Sequence, residues 1–340
     1  MTDKGVVYLD DLVDKYASVG KPCDIDPLEL LGKYIMSDEE MEKISDSEFI
    51  IDGFIVSGQL HMICAAPNAG KTTILFHLAG EMVQKGYQVI YVHADTSAGN
   101  AKEFHREAKE MGITLLLPDM KVGKSMTDVV GDLRQINSSG ADLSNHVFIF
   151  DTYKKMADVI SKSANKDMLI LLRGLTAKGA TIICLAHTNK YDDKDGMPIY
   201  EGTGDIRSDV DNLIYLIPAK NPDSSITVSV VPDKERAPLK KMTFKISPDR
   251  EVTLAENYED VLARKIREER YANDQDVIER IVEVMQKGKF KQCDIIEYCQ
   301  EHKIGKRRAR DCLNRYRHEP GMIWRYERSA KNNAIYYYLC

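Results

Sequence analysis

The sequence predicts an α/β fold built on a mostly parallel sheet with helices on both faces, followed by a small C-terminal domain. Three observations predict it. Near-continuous apolar runs (60–65, 87–95, 147–151 and 181–187) alternate with stretches of helical periodicity, the pattern of strands buried on both faces. The first run closes on a turn of small residues that opens a helix. Beyond residue 256 the pattern and the charge both change: from Ala272 onward 14 Lys and Arg stand against 10 Asp and Glu, a net of +4, whereas the rest of the chain carries −10.

Residues 1–44 read as an N-terminal arm or subdomain. Leu9, Leu12, Val13 and Tyr16 share a helical face, with Pro22 and Pro27 after them. Docking on a neighbouring subunit and a partly ordered tail both fit this pattern. Ser37-Asp-Glu-Glu40 has the form of a capped acidic helix, and the run 49–58 leads into the first strand.

The strand that starts at Leu60 ends in Ala66-Pro67-Asn68-Ala69-Gly70-Lys71-Thr72-Thr73, and Ile74, Leu75, Leu78 and Ala79 continue as a helix. Strand, small-residue turn and helix form the layout of a phosphate-binding P-loop. Its backbone N–H groups wrap phosphates at the positive end of the helix dipole. Lys71 reaches the β- and γ-phosphates, and the Thr72 hydroxyl holds Mg²⁺. The full pattern wants Gly six residues before the lysine, where this chain has Ala65; a small residue serves if the turn there needs no positive φ. ATP and Mg²⁺ are the expected ligands.

Helices follow at about 100–111 and 126–137, a strand at 147–151, a helix at 164–178 and a strand at 181–187. Strands at 212–217 and 226–231 come next, with 241–246 completing a hairpin. In such sheets ligands gather beyond the carboxyl ends of the strands. Lys71, Asp95, Asp151 and His187 all lie there. Asp151 matches the second acidic motif of P-loop enzymes, where a carboxylate holds Mg²⁺; capping of a helix at Thr152 is the plainer alternative. Asp95 is placed to orient an attacking water, with Glu81 and Glu103 as rival acids and a loop cap as the plainer reading. His187, in Leu-Ala-His-Thr-Asn-Lys190, either senses the γ-phosphate or is structural. The loop 200–211 faces nucleic acid, faces a neighbouring subunit or merely connects. Lys234 and Arg236 fall at a hairpin tip, where such a pair can enter a neighbour's site; a solvated basic turn is the alternative.

Lys71, Asp95, Asp151, His187 and the Lys234-x-Arg236 pair, in this order, resemble the RecA-fold hexameric ATPases over about residues 45–250. Within them the chain resembles the RepA-type plasmid helicases and, more distantly, the DnaB-like replicative ones. The lead-in Ile51-Asp-Gly-Phe-Ile-Val-Ser-Gly-Gln-Leu60 looks like that group's entry to the P-loop strand. The resemblance implies a RecA-like ATPase domain and a homo-oligomeric, hexameric ring with single-stranded DNA in its central channel. It also implies that Lys234 and Arg236 act across a subunit interface. Where this chain has Asp95, the family has a glutamate.

After a helical linker at 257–272, residues 273–340 carry helical runs at 276–286 and 291–302, then a third after Ile304-Gly305 with Lys306, Arg307, Arg308, Arg310, Arg315 and Arg317. Strand-like runs at 322–327 and 334–339 flank a turn containing Lys331. This arrangement resembles a winged helix. The third helix and the wing would then meet double-stranded DNA, and a protein-binding winged helix with a solvated basic face is the alternative. Cys293, Cys299, His302 and Cys312 lack a paired Cys-x-x-Cys knuckle, so buried thiols are expected there rather than zinc.

The seven scattered cysteines point to reduced thiols in the cytoplasm, and no apolar run reaches the length of a membrane span. The function the resemblance implies is an ATP-dependent DNA helicase in replication, with a plasmid, phage or mobile element as a fitting context. A non-helicase ATP switch, either a DNA-binding regulator or a recombinase-like filament, is the alternative. A P-loop kinase would leave the basic C-terminal module without a role.

Overall fold

The computed structural model describes residues 26–42, 48–157, 161–194, 196–202, 206–318, 321–331 and 333–340. The chain divides into two compact units, Met1–Asp46 and Ser47–Cys340. The expected helical face at Leu9 to Tyr16 lies outside the described residues.

In the first unit, α1 (Pro27–Leu31) starts on an Asp26 cap whose carboxylate accepts from the Leu28 N–H at 3.0 Å, with proline in its first turn. Helix α2 (Asp38–Glu42) starts on a reciprocal pair. The Glu40 carboxylate accepts from the Ser37 N–H at 2.7 Å, and Ser37 Oγ accepts from the Glu40 N–H at 3.2 Å. That is the box the Ser-Asp-Glu-Glu run predicts. Leu28, Leu30, Leu31, Tyr34 and Ile35 of this unit are exposed.

The second unit opens with a small hairpin, β1 (Phe49–Ile51) and β2 (Ile55–Val56). Then follow β3 (Leu60–Ala65), α3 (Lys71–Gln84), β4 (Gln88–His93), α4 (Ala98–Met111), β5 (Thr114–Leu116), α5 (Met126–Ser138), β6 (His146–Asp151), α6 (Lys162–Thr176) and β7 (Thr181–His187). The rest of the sheet is β8 (Asn212–Lys220), β9 (Ile226–Lys234), β10 (Met242–Ile246) and β11 (Val252–Leu254), with a short helix, α7 (Ile206–Asp209), before β8.

All but the opening hairpin join one nine-stranded sheet in the order β11-β10-β9-β8-β3-β7-β6-β4-β5. From β8 to β5 every pairing is parallel; β9, β10 and β11 are antiparallel. Alternation along β3 shows why its run is apolar throughout. Ile63 and Ala65 enter the core that α3 covers, while Leu60, Met62 and Cys64 enter the opposite core, under α5 and α6. The P-loop strand therefore sits inside the sheet, held by β7 on one side and β8 on the other. The short edge strands β5 and β11 and the hairpin β1–β2 are additions that the hydrophobic pattern did not announce.

One helix, α8 (Val261–Gln286), runs on from the sheet. Sequence reading divides this stretch into a linker at 257–272 and a separate helix; the structure corrects it to a single element. No Gly or Pro interrupts 261–286. At the expected break, Asp274 is buried, accepting from Arg315 and, at 3.1 Å, from the Tyr316 hydroxyl. Helices α9 (Gln292–Glu301) and α10 (Lys306–Arg315) and the antiparallel pair β12 (Trp324–Arg328) and β13 (Ile335–Leu339) pack on the second half of α8. Val277, Ile281, Val284, Ile295, Cys299, Leu313, Trp324 and Tyr337 form their core.

Among the described residues no helix is long and apolar enough to cross a membrane. Cys299 and Cys312 are buried free thiols, as expected. Cys293 is not: it faces solvent on the first turn of α9. Among the described residues no group of His, Cys, Asp and Glu is arranged to hold a metal by itself.

Candidate nucleotide site

The P-loop geometry explains both its glycine and its missing glycine. Ala65 is the last residue of β3, fully buried and paired to His187 on one side and Leu216 on the other. It is an ordinary strand position, so alanine costs nothing there. Gly70, capping α3, has φ +81°, and a Cβ on it would lie 2.2 Å from Cδ1 of Ile246 on β10. Only glycine fits. Asn68 supplies the other positive φ of the turn, at 59°.

Helix α3 then presents two side chains side by side. Lys71 is 7% exposed, with Nζ 3.5 Å from Nδ1 of His187. Burial pushes its ammonium below the usual lysine range, while the charges of Asp151 and, more weakly, Asp95 pull the other way. The Thr72 hydroxyl donates to Oδ2 of Asp151 at 2.7 Å. Lys71, Thr72, Asp151 and His187 therefore stand together at the carboxyl edge of the parallel strands.

Asp151 has further partners that sequence reading missed. Tyr91 donates its hydroxyl to the same Oδ2 at 3.0 Å, and His93 holds Nδ1 3.9 Å from it. Burial, with the Asp151 charge added, pushes the Tyr91 phenol well above its usual range, so it remains a donor. His93 Nδ1 is buried without a hydrogen-bond partner among the described residues. The signal was available. Tyr91 and His93 are two apart in an apolar strand, hence on one face, and His93 is in register with Asp151 across the β4–β6 pair. The Asp151–Thr152 peptide is cis, and Thr152 donates to the Leu185 carbonyl at 2.9 Å rather than capping a helix.

Asp95 lies in the loop just beyond β4 and is exposed. Its charge bears on both Lys71 and His187. The rival Glu81 sits ten residues along α3 from Lys71, about 15 Å at helical rise, and pairs with His77 at 3.1 Å. Glu103 is exposed on α4. Of the three acids, Asp95 is the one whose field reaches the lysine. His187 is half-buried; burial first, then Lys71 and Lys154, push its imidazole below the usual range, so it is neutral at pH 7.

A cleft of about 640 Å³ opens beside His187. Ala66 and Pro67 of the P-loop, Lys154, Lys190, Glu201, Leu216 and Pro218 line it, together with Leu262 and Lys265 of α8. The donor set suits Mg²⁺. Thr72 and Asp151 offer hard oxygens, and this ion usually takes only one or two protein oxygens and completes its shell with phosphate and water.

Lys234 and Arg236 are not at this edge. β9 runs antiparallel to β8, so Lys234 is level with Leu213, toward the start of the parallel strands. Arg236 pairs with Asp211 at 3.0 Å, and Asp211 accepts from the Leu60 N–H at 2.8 Å. From Leu60 to Ala65 is about 17 Å of strand, so neither cation reaches its own P-loop. Nor do they form a free basic turn. Lys234 is the last residue of β9, and its ammonium donates to the carbonyls of Ser208 and Val210 at 2.8 and 2.7 Å. Asp211, the anchor of Arg236, also accepts from Arg173 at 2.9 Å.

The basic residues of α10 divide. Arg308 makes a two-pronged pair with Asp276 at 2.8 and 2.6 Å, and Arg315 is tied to the buried Asp274, so both bind α10 to α8. The expectation is that both face DNA; in the fold each has a carboxylate partner on α8, with Arg308 48% and Arg315 42% exposed. Lys306, Arg307 and Arg310 are exposed, Arg307 with only a long 3.7 Å pair to Asp311. Lys331 is exposed between β12 and β13, and Arg317 lies past the end of α10, stacked on Tyr326 at 4.5 Å.

Comparison with known proteins places part of this architecture. A family model described as an AAA domain (AAA_25) matches residues 26–193. The crystal structure of the flagellar accessory protein FlaH from Methanocaldococcus jannaschii is similar at 19% identity and a TM-score of 0.43, covering 61% of this chain and 93% of FlaH. No curated protein matches. The AAA-domain match takes in Lys71, Asp95, Asp151 and His187, and the mostly parallel sheet with its P-loop is a RecA-like α/β fold.

Proposed function

We propose that this chain is an ATP-dependent DNA helicase of the RepA-type, DnaB-like kind. It works as a homo-oligomeric, hexameric ring on single-stranded DNA, and its C-terminal unit is a winged helix that contacts duplex. The observation that carries the reading is the separation of the two charged sets. Lys71, Thr72, Asp151 and His187 meet at one edge of the sheet, and Arg236 stands at the other, beyond reach of its own P-loop. With 56% of its side chain exposed, Arg236 keeps guanidinium donors for a second partner. A cation so placed serves a neighbouring subunit's nucleotide, and a closed ring of subunits gives every site such a neighbour.

Within one site the roles follow from position. The P-loop N–H groups and Lys71 bind and orient the polyphosphate. Thr72 and Asp151 would hold Mg²⁺, which when bound offsets phosphate charge. Tyr91 fixes the Asp151 carboxylate. Asp95 orients and deprotonates the attacking water, and neutral His187, against the Lys71 ammonium, senses whether a γ-phosphate occupies the site. Lys306, Arg307, Arg310 and Lys331 supply phosphate contacts for DNA.

A specific observation also favours the ATP-switch alternative: Asp95 is exposed in a loop and, among the described residues, is not fixed by a neighbour in the manner of the Asp151 carboxylate. The experiment that separates the two is unwinding of a forked duplex with ATP and Mg²⁺, with Lys71→Ala as control. Strand displacement that the mutant lacks supports the helicase. ATP-dependent DNA binding without displacement supports the switch.

A further inference from the structure

The cleft beside His187, next to the P-loop, has a wall that comes from α8. Leu262 and Lys265, from the first turns of α8, line it together with Ala66 and Pro67 of the P-loop. The approach is close. A Cβ on Gly196 in the loop after β7 would lie 3.4 Å from Cδ1 of Leu262 and 3.9 Å from Cδ1 of Ile266. The base of α8 is fixed on the sheet: Val261 is fully buried, and its N–H donates to Ser229 Oγ at 2.9 Å.

The charges around the cleft are unequally matched. Arg264 takes the nearby carboxylates of Glu259 and Glu268 at 2.9 and 3.0 Å. Lys265, one residue on and half-buried, has no ion pair among the described residues. It shares the cleft with Lys154, Lys190 and His187, against the acids Asp192 and Glu201. Leu216, Pro218 and Leu262 give the floor apolar surface. One half-buried lysine, Lys265, beside the exposed Lys154 and Lys190 and over such a floor next to a P-loop, is matched by a phosphate, for which lysine acts as a point charge.

We propose that Lys265 is a phosphate-binding residue, delivered to the nucleotide cleft by the helix that carries the C-terminal unit. The phosphate belongs either to the nucleotide or to a nucleic-acid strand passing His187; the chemistry is shared. The inference rests on the P-loop reading above, and it adds that the C-terminal helix completes the site.

The test uses the full chain with Lys265→Ala, Lys265→Arg and, in parallel, Lys71→Ala, each checked for fold by circular dichroism. Two probes are titrated: ATPγS with Mg²⁺, and a fluorescein-labelled oligothymidylate over a range of salt. Loss of one half-buried charged contact weakens the relevant probe roughly fivefold to tenfold, and Lys265→Arg restores most of it. Weakened ATPγS alone assigns the contact to the nucleotide. A weakened oligonucleotide, with its salt slope lowered by about 0.7, assigns it to the strand. If Lys265→Ala binds both probes as the unmodified chain does, the proposal is overturned. If Lys71→Ala leaves ATPγS binding intact, the P-loop reading itself fails, and the oligonucleotide titration alone then decides the role of Lys265.

Discussion

Arg315→Ala tests whether the basic residues of α10 have been sorted correctly between structure and DNA. Asp274 is 7% exposed, and its carboxylate is held by Arg315 and the Tyr316 hydroxyl. Removing the guanidinium leaves a buried charge with one phenol for company. Stripping one partner from a fully buried pair costs about 3–5 kcal/mol. Here 42% of the Arg315 side chain is exposed, so water already screens the pair, and about 2 kcal/mol is the better figure. Trp324 reports on this core alone. It is the single tryptophan of the chain, fully buried, with Nε1 donating to the Leu313 carbonyl at 2.8 Å.

With a urea dependence of about 1 kcal/mol per molar for so small a unit, the Trp324 fluorescence midpoint falls by about 2 M in Arg315→Ala. Arg310→Ala is the counterpart. That residue is exposed and has no ion pair among the described residues, so its midpoint stays in place, while duplex affinity drops and the salt slope falls by about 0.9. An Arg315→Ala chain that keeps its midpoint but loses salt slope would refute the assignment, because Arg315 would then be spent on DNA and not on Asp274.

Thr72→Val removes the hydroxyl that meets Asp151 and the expected metal, so Mg²⁺-dependent ATP hydrolysis falls by at least about a hundredfold; turnover near normal in a phosphate-release assay would discard Thr72 from the site. Arg236→Ala binds nucleotide normally but does not hydrolyse it, and mixing it with Lys71→Ala subunits recovers part of the activity. Normal hydrolysis by Arg236→Ala alone rules out the cation acting in trans. The third concerns pH. Burial pushes the fully buried His61 down to about 4 from a usual 6.5. Asn212 donates to its Nδ1 and its Nε2 faces the Val56 carbonyl, a set that suits the neutral ring. Between these values the unfolded chain takes the proton and the folded one does not. Stability is therefore whole above about pH 6.5 and declines by about 3 kcal/mol as pH falls toward 4. Urea midpoints that stay level across that window contradict the neutral buried imidazole.

Much of the sheet was legible because each strand buried on both faces leaves an unbroken apolar run, and Lys71, Asp95, Asp151 and His187 each end or follow one. What was not legible arises from contacts distant in sequence. Whether Lys234 faces its own P-loop or turns away depends on β9 running antiparallel to β8, and no residue in 226–234 announces the partner strand. Arg308 and Arg315 look like their exposed neighbours until Asp276 and Asp274 are brought alongside. The break expected in α8 came from reading 257–272 as a linker apart from the helical run at 276–286, whereas the helix leaves one core at Val261 and enters another at Val277 without ending. Lys265 could not be placed in the cleft at all, since nothing local marks a helix as the wall of a site formed some two hundred residues earlier.

That continuous helix has the length and anchorage of a lever arm. Its 26 residues span about 39 Å, with the pivot buried at Val261 and the load at the C-terminal core. A tilt of about ten degrees at the pivot swings the far end by about 7 Å, close to the rise of two base pairs along a duplex.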